Sequence, residues 1–200
     1  EGLGYYNRAR NLQKAARKIV TEYDGRFPER LEEILELPGV GRYTAGAVFS
    51  FAFGKRAPIV DGNVVRVLSR LFSFSESVDK PAGVRQLWDW AEEMTPEKEV
   101  REYNSAIMEL GQSLCTRSNP KCEECPVEEW CRARKEETQE LFPVKAGKTQ
   151  ITRKREEVVL LLDDSKVFLT QETGSRRNGL WKLPECSNSD DLALPVVTET

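Results

Sequence analysis

Residues Leu37 to Val67 read LPGVGRYTAGAVFSFAFGKRAPIVDGNVVRV, and this stretch decides the fold. The turn Leu37-Pro38-Gly39-Val40-Gly41 separates two helical patterns. Twenty residues beyond Gly41, Asp61 sits in an Asp-Gly-Asn turn between apolar runs. Gly39 and Gly41 lack a Cβ, so the backbone can bend tightly and another backbone can come close. The helix after Gly41 opens with unpaired N–H groups and the positive end of its dipole, an arrangement suited to holding a phosphate. The Asp61 turn then returns one carboxylate toward whatever carries that phosphate. Either half alone is a common turn. The pair at this spacing is far more specific.

Composition limits what surrounds that stretch. Of 200 residues, 39% are apolar, enough for a core, and 32% are charged. That length allows one large domain, or one domain and part of another. No apolar run reaches the length of a membrane span, and no basic-then-apolar signal opens the chain. The net charge of −3 means that any nucleic-acid footprint must be a local patch. Histidine is absent, which removes the usual general base, the Ser-His-Asp arrangement and histidine metal sites. Four of the five cysteines, Cys115, Cys122, Cys125 and Cys131, are spaced C-x6-C-x2-C-x5-C. Such a cluster suits a metal site in a reducing compartment better than a disulfide framework. The spacing alone admits zinc or an iron–sulfur cluster.

Outward from the hairpin, the pattern is helical. A first helix carries the stripe Leu12, Ala16, Ile19 and Tyr23, with Arg8, Arg10, Lys14, Arg17 and Lys18 crowding its other face. Pro28 opens a short helix to about Glu36, with Leu31, Ile34 and Leu35 facing inward. Further helices are expected over about Arg42–Phe53, Val64–Phe72, from Pro81 (with Leu87, Trp88 and Trp90 in the core), and over Tyr103–Leu114. Nothing up to Cys115 alternates at period two. A polar connector follows, ending in Lys145, Lys148, Arg153, Lys154 and Arg155. The apolar runs at Glu157–Leu162 and Val167–Leu169 then flank Asp163-Asp164-Ser165-Lys166 as a β-hairpin.

The hairpin and Asp61 together resemble the helix-hairpin-helix DNA glycosylases, the superfamily of endonuclease III and the MutY-type adenine glycosylases. Several other motifs carry the same resemblance. Gly2-Leu3-Gly4-Tyr5-Tyr6-x-Arg8-Ala9-Arg10-Asn11 is similar to a MutY stretch whose first tyrosine enters the DNA stack beside a damaged guanine, which implies that Tyr5 is the wedge. The cysteine spacing directly after the helices resembles the family's [4Fe–4S] loop, in which basic residues face DNA; Arg117 and Lys121 occupy it here. Gly179-Leu180-Trp181-Lys182-Leu183-Pro184-Glu185 resembles an element of the MutT-like domain at the MutY C-terminus. The acidic box of Nudix hydrolases has no counterpart in Ser187 to Thr200, so nucleotide hydrolysis is unsupported.

The resemblance implies a mainly α fold: a glycosylase domain over 1–135 with its cluster loop at 115–131, a linker over 136–155, and the start of an α+β MutT/Nudix-like domain over 156–200. Tyr43 separates the branches. Endonuclease III-like enzymes place there a lysine that forms a Schiff base and cuts the strand, which a tyrosine cannot do. The implied activity is monofunctional removal of adenine opposite 8-oxoguanine or guanine in double-stranded DNA, by a monomer without membrane partners. Its compartment would be the bacterial cytoplasm with its nucleoid, or a nucleus. Asp61 is the implied catalytic carboxylate, with Asn63 and Tyr43 as its neighbours. Tyr5, Arg8, Gly39, Val40, Gly41, Arg117 and Lys121 would contact DNA, and the four cysteines would hold a [4Fe–4S] cluster. The family's catalytic glutamate lies ahead of Gly2-Leu3-Gly4 and has no match among the acids here. These 200 residues are therefore expected to bind substrate while releasing little adenine. A glycosylase/lyase and a non-catalytic DNA-binding module are the alternative readings.

Overall fold

The computed structural model describes residues 6–147, 155–163, 166–174 and 177–185. Tyr5 and Cys186 lie outside the described residues. The chain divides into two compact units, Glu1–Lys148 and Thr149–Thr200.

The first unit is helical. Its elements are α1 (Tyr6–Glu22), α2 (Leu31–Leu35), α3 (Arg42–Ala47), α4 (Gly62–Leu71), α5 (Pro81–Met94), α6 (Val100–Glu109) and α7 (Arg132–Lys135). Two of them end in wider π turns, α3 through Val48–Ala52 and α6 through Leu110–Leu114. α4 lies at the centre because its sequence, GNVVRVLSRL, turns Val64, Val67 and Leu68 inward, with Ser69 and Arg70 buried at its end. Val64, Val67 and Leu68 are buried and join Phe74, Val78, Leu87, Ala91 and Ile107 in one core. Trp90 stacks on Phe72 at 4.3 Å between ring centroids and meets Phe74 edge-on at 5.1 Å, so the tryptophans of α5 are core residues. Such rings contribute both area and geometry to packing. Pro81 opens α5 with its fixed φ at a position where no N–H is needed.

Two expectations fail near the N-terminus. On α1, Leu12 and Ala16 are exposed, and Ala15 is the buried residue. The inward face is set instead by polar contacts. Lys18 reaches the carbonyl of Glu36 at 3.2 Å, and Asn11 packs against Gly39. Pro28 does not open α2, which begins at Leu31 after an extended Arg30. The Glu29 carbonyl is taken by Lys55 Nζ at 2.9 Å, and the first helical bond runs from Ile34 N to Arg30 O. Within the shortened α2, Ile34 is buried and Leu35 is exposed.

The second unit contains short antiparallel pairs. β1 (Leu162–Asp163) pairs with β2 (Lys166–Val167), with Leu162 opposite Val167. β3 (Thr170–Gln171) pairs with β4 (Trp181–Lys182), and Val158 bridges to Glu185. The antiparallel pairing expected of the two apolar runs is present, but Asp163 and Lys166 are paired strand residues rather than part of the connecting turn. The Gly179–Glu185 segment folds back on Thr170–Gln171 through β4, and on the Glu157–Leu162 run through the bond from Val159 N to Pro184 O, 2.9 Å.

Candidate active site and cluster loop

The hairpin is a tight turn closed by Val40 N on Leu37 O at 3.0 Å. Gly39 has φ +80°, and a Cβ there would lie 2.6 Å from Asn11 Cβ, so both its backbone angle and the approach of α1 require glycine. Gly41 is extended and precedes α3 without a side-chain cap. The first-turn N–H groups of α3 therefore gain no partner from a capping side chain. Tyr43 stands on that turn, exposed, and no hydrogen bond joins it to Asp61 among the described residues. Arg42, beside it, lies over the Trp88 ring at 4.1 Å.

Asp61 is the N-cap of α4. Its Oδ1 accepts from the backbone N–H of Asn63 at 2.9 Å and of Val64 at 2.8 Å. Its Oδ2 accepts from Asn63 Nδ2 at 3.1 Å. The carboxylate is half-buried and fixed in orientation by three donors of its own turn. Asn63 is held in turn by Arg66, whose Nη2 donates to Asn63 Oδ1 at 2.9 Å. Arg66 also donates to the Cys115 carbonyl at 2.6 Å and to the Gly111 carbonyl. Those carbonyls belong to the π turn after α6, where the wide turn is closed by Cys115 N on Leu110 O at 2.7 Å. Gly111 touches Asn63 so closely that a Cβ would sit 2.7 Å from Asn63 Cβ. Asp61 and the first cysteine are thus joined through Asn63 and Arg66.

The other end of α4 carries Arg70, 2% exposed. Its Nε donates to Gln139 O at 2.8 Å, Nη1 to Thr116 O at 2.7 Å, and Nη2 to Arg117 O at 3.1 Å. Nη1 also lies 3.3 Å from Cys115 Sγ. These bonds shape the loop from Cys115 to Cys131. Cys115, Cys122, Cys125 and Cys131 line one cavity together with Arg70 and Gln139. Burial pushes the Cys125 and Cys131 thiols above their ordinary values, and the neighbouring thiols add to the shift. Among the described residues no three Cys, Asp or Glu side chains converge on a point where one metal ion could sit. Four thiolates on a single zinc, each at about 2.3 Å, must converge. Cysteines on separate corners of an iron–sulfur cluster need not. The donor set therefore fits a cluster better than an ion. Arg117 and Lys121 are exposed on this loop, Lys121 within 4.0 Å of Glu124, and Arg8 is exposed on α1.

Comparison with known proteins agrees with this geometry. The model of the HhH-GPD superfamily base excision DNA repair proteins matches residues 1–93. The model of the iron–sulfur binding domain of endonuclease III matches residues 115–131. An adenine DNA glycosylase of Buchnera aphidicola (from Acyrthosiphon pisum) is 34% identical over 197 residues, covering 96% of this chain and 55% of that protein. The chain belongs to the HhH-GPD superfamily of base excision DNA repair proteins. The human adenine DNA glycosylase is 46% identical over 140 residues, 70% of this chain and 26% of that protein. The solved structure of a thermostable thymine-DNA glycosylase shares 38% identity and a TM-score of 0.59, over 64% of this chain and 59% of that one. The chain thus spans about half the length of the bacterial relative and about a quarter of the human one. The group held by the HhH-GPD cysteine loop is a [4Fe–4S] cluster.

Of the residues singled out in the sequence, Asp61 and Asn63 meet, and the four cysteines share a cavity. Tyr43 sits apart from Asp61 as far as hydrogen bonds go. Arg66, Arg70, Gly111 and Gln139 were not singled out. Two of them carried a signal: arginines four apart on a helix whose other residues are mostly Val and Leu need partners inside the protein.

Proposed function

We propose that this chain forms part of a monofunctional adenine DNA glycosylase acting on adenine paired with 8-oxoguanine or guanine. The observation that carries the reading is Asp61, a carboxylate fixed by Asn63 at the start of α4, with a tyrosine rather than a lysine at position 43. Hydrolysis of the N-glycosidic bond needs protonation of the leaving base and stabilisation of positive charge on the sugar. Asp61 supplies the second: a preorganised carboxylate beside developing charge needs no reorganisation as the bond breaks. Asn63 keeps that carboxylate aimed. Tyr43 offers no amine, so no Schiff base forms and the strand stays intact. Protonation of the base falls to a carboxylic acid other than Asp61, which must stay ionised to stabilise the sugar.

The same reading gives duplex DNA two grips. Backbone N–H groups of Gly39 and Gly41 hold one phosphate, that of Val40 being taken by the Leu37 carbonyl, and Arg8, Arg117 and Lys121 add local positive charge. Tyr5 wedges into the stack opposite the flipped adenine. The cluster ties four thiolates into one loop and so fixes where Arg117 and Lys121 stand. The protein works as a monomer, in whichever compartment holds the DNA. The relatives named adenine DNA glycosylase support adenine as the base.

The test uses the chain joined behind a glutamate-bearing helix of the family and duplexes carrying A:8-oxoguanine, A:G or T:G. The expected result is release of adenine, with strand breakage only after alkali and no trapping by borohydride. Release of thymine from T:G in preference to adenine would defeat the substrate assignment. A borohydride-trapped adduct would defeat the monofunctional one.

A further inference from the structure

We propose that Gln139 tunes the reduction potential of the iron–sulfur cluster by donating an amide hydrogen bond to the Cys122 sulfur. Gln139 lies beyond the cysteine loop, in the 3-10 turn Gln139–Leu141 that begins the connector. Its Nε2 is 3.7 Å from Cys122 Sγ. Its backbone carbonyl accepts from Arg70 Nε at 2.8 Å, which anchors the residue to α4.

Among the described residues, each of the other three sulfurs also has an N–H donor. Arg70 Nη1 faces Cys115 Sγ at 3.3 Å. The backbone N–H groups of Val127 and Arg134 face Cys125 and Cys131. Two donors are thus main-chain groups, supplied by any sequence that folds this loop. The other two are side chains, and a sequence can keep or drop them. An N–H on a ligand sulfur stabilises the more electron-rich, reduced cluster more than the oxidised one, so each donor raises the potential. Arg70 is a poor place to look for this effect, because removing it also strands three carbonyls. Gln139 is neutral and half-buried, is not a ligand, and has no other side-chain partner among the described residues. Its effect should be electronic, and the connector rather than the cysteine loop would set it.

The experiment compares the DNA-free holoprotein with Gln139→Leu and Gln139→Glu by protein-film voltammetry, with iron and sulfide measured on the same samples. The expected result is full cluster content and a lowered midpoint potential in both variants. For Gln139→Leu the reduction equilibrium should fall about tenfold, or about 59 mV for a one-electron couple. Gln139→Glu should fall at least as far, since it adds negative charge beside the cluster. An unchanged potential in Gln139→Leu at full iron content overturns the proposal. Loss of the cluster from both variants overturns it too, because Gln139 would then be a structural clamp. Glycosylase activity enters neither measurement, so this result stands apart from the substrate assignment.

Discussion

The two ends of α4 solve opposite problems. At its start, Asp61 keeps a charge half-exposed, fixed only by N–H groups two and three residues away. At its end, Arg70 buries a charge completely and satisfies it with carbonyls 46 to 69 residues away. The first arrangement is rigid but open, so the carboxylate remains available to a substrate. The second is closed and has nothing left to offer one. A charge held by its own turn can act; a charge held by distant chain segments organises those segments.

The sharpest way to break this contrast is at Arg70. Arg70→Met removes the donors to the carbonyls of Gln139, Thr116 and Arg117, part-buried acceptors whose loss of partner costs up to about 1–3 kcal/mol each. Destabilisation by more than about 3 kcal/mol is expected in urea melts, together with loss of iron. Arg70→Lys should recover little, since one ammonium cannot reproduce a planar fork aimed at three acceptors. A Met variant with the parent's midpoint and iron content would mean that the loop holds itself.

At the other end the expected damage is to activity rather than to stability. Asn is as good an N-cap as Asp, so Asp61→Asn should leave the melting midpoint nearly unchanged. In the helix-completed protein it should lower adenine release by about 100- to 1,000-fold, the usual scale for losing one preorganised electrostatic group. Asp61→Ala should lose the same activity and about 1 kcal/mol of stability as well. If Asn and Ala variants are equally unstable, the hydrogen bonds from Asn63 and Val64 do not act as a helix cap.

Gly111 probes the link between the two ends. Gly111→Ala puts a methyl 2.7 Å from Asn63 Cβ, on a backbone packed against α4. Overpacking of this kind costs about 1–3 kcal/mol, and here it pushes on the residue that aims Asp61. Activity should therefore fall more than stability accounts for, as read by single-turnover rates beside urea melts. Equal, small losses in both would show that Asn63 can move without moving Asp61.

The same contrast explains what the sequence let one read. Asp61, Asn63 and the hairpin were legible because each is built from neighbours: an Asp-Gly-Asn cap, a Gly-x-Gly turn, and apolar runs on both sides. The cysteines were legible by spacing, although choosing a cluster over zinc took the resemblance and then the geometry. Arg66, Arg70 and Gln139 were hidden because their partners are carbonyls and sulfurs far along the chain, which no local pattern encodes. The face of α1 was misread for a related reason. Its period-3.6 stripe pointed to Leu12 and Ala16, but Asn11 against Gly39 and Lys18 against Glu36 decide its rotation.

Asp79 is the intermediate case and should give the smallest effect. Like Asp61 it accepts from its own turn, at Ser77 Oγ, and like Arg70 it holds a distant segment, through Ala146 N at 2.9 Å. Those two bonds, the Ser77 one first, hold its carboxyl below the ordinary value, and Lys145 adds attraction. The connector also binds here through Val78 N on Val144 O at 2.9 Å. A depressed folded value means that the stabilisation is full above the unfolded carboxylate's pKa of about 3.9 and is lost as pH falls through the lower folded one. The site is exposed, so solvent screens the effect and global stability should hardly register it. Amide exchange is the suitable probe. Protection at Ala146 should drop on acidification below about pH 4 while Val78 changes less. Asp79→Asn, which keeps an acceptor but cannot titrate, should abolish the pH dependence. Ala146 protection that stays flat in the parent chain would mean that Val144 and Val78 dock the connector alone, and that a surface carboxylate adds nothing to a long-range contact.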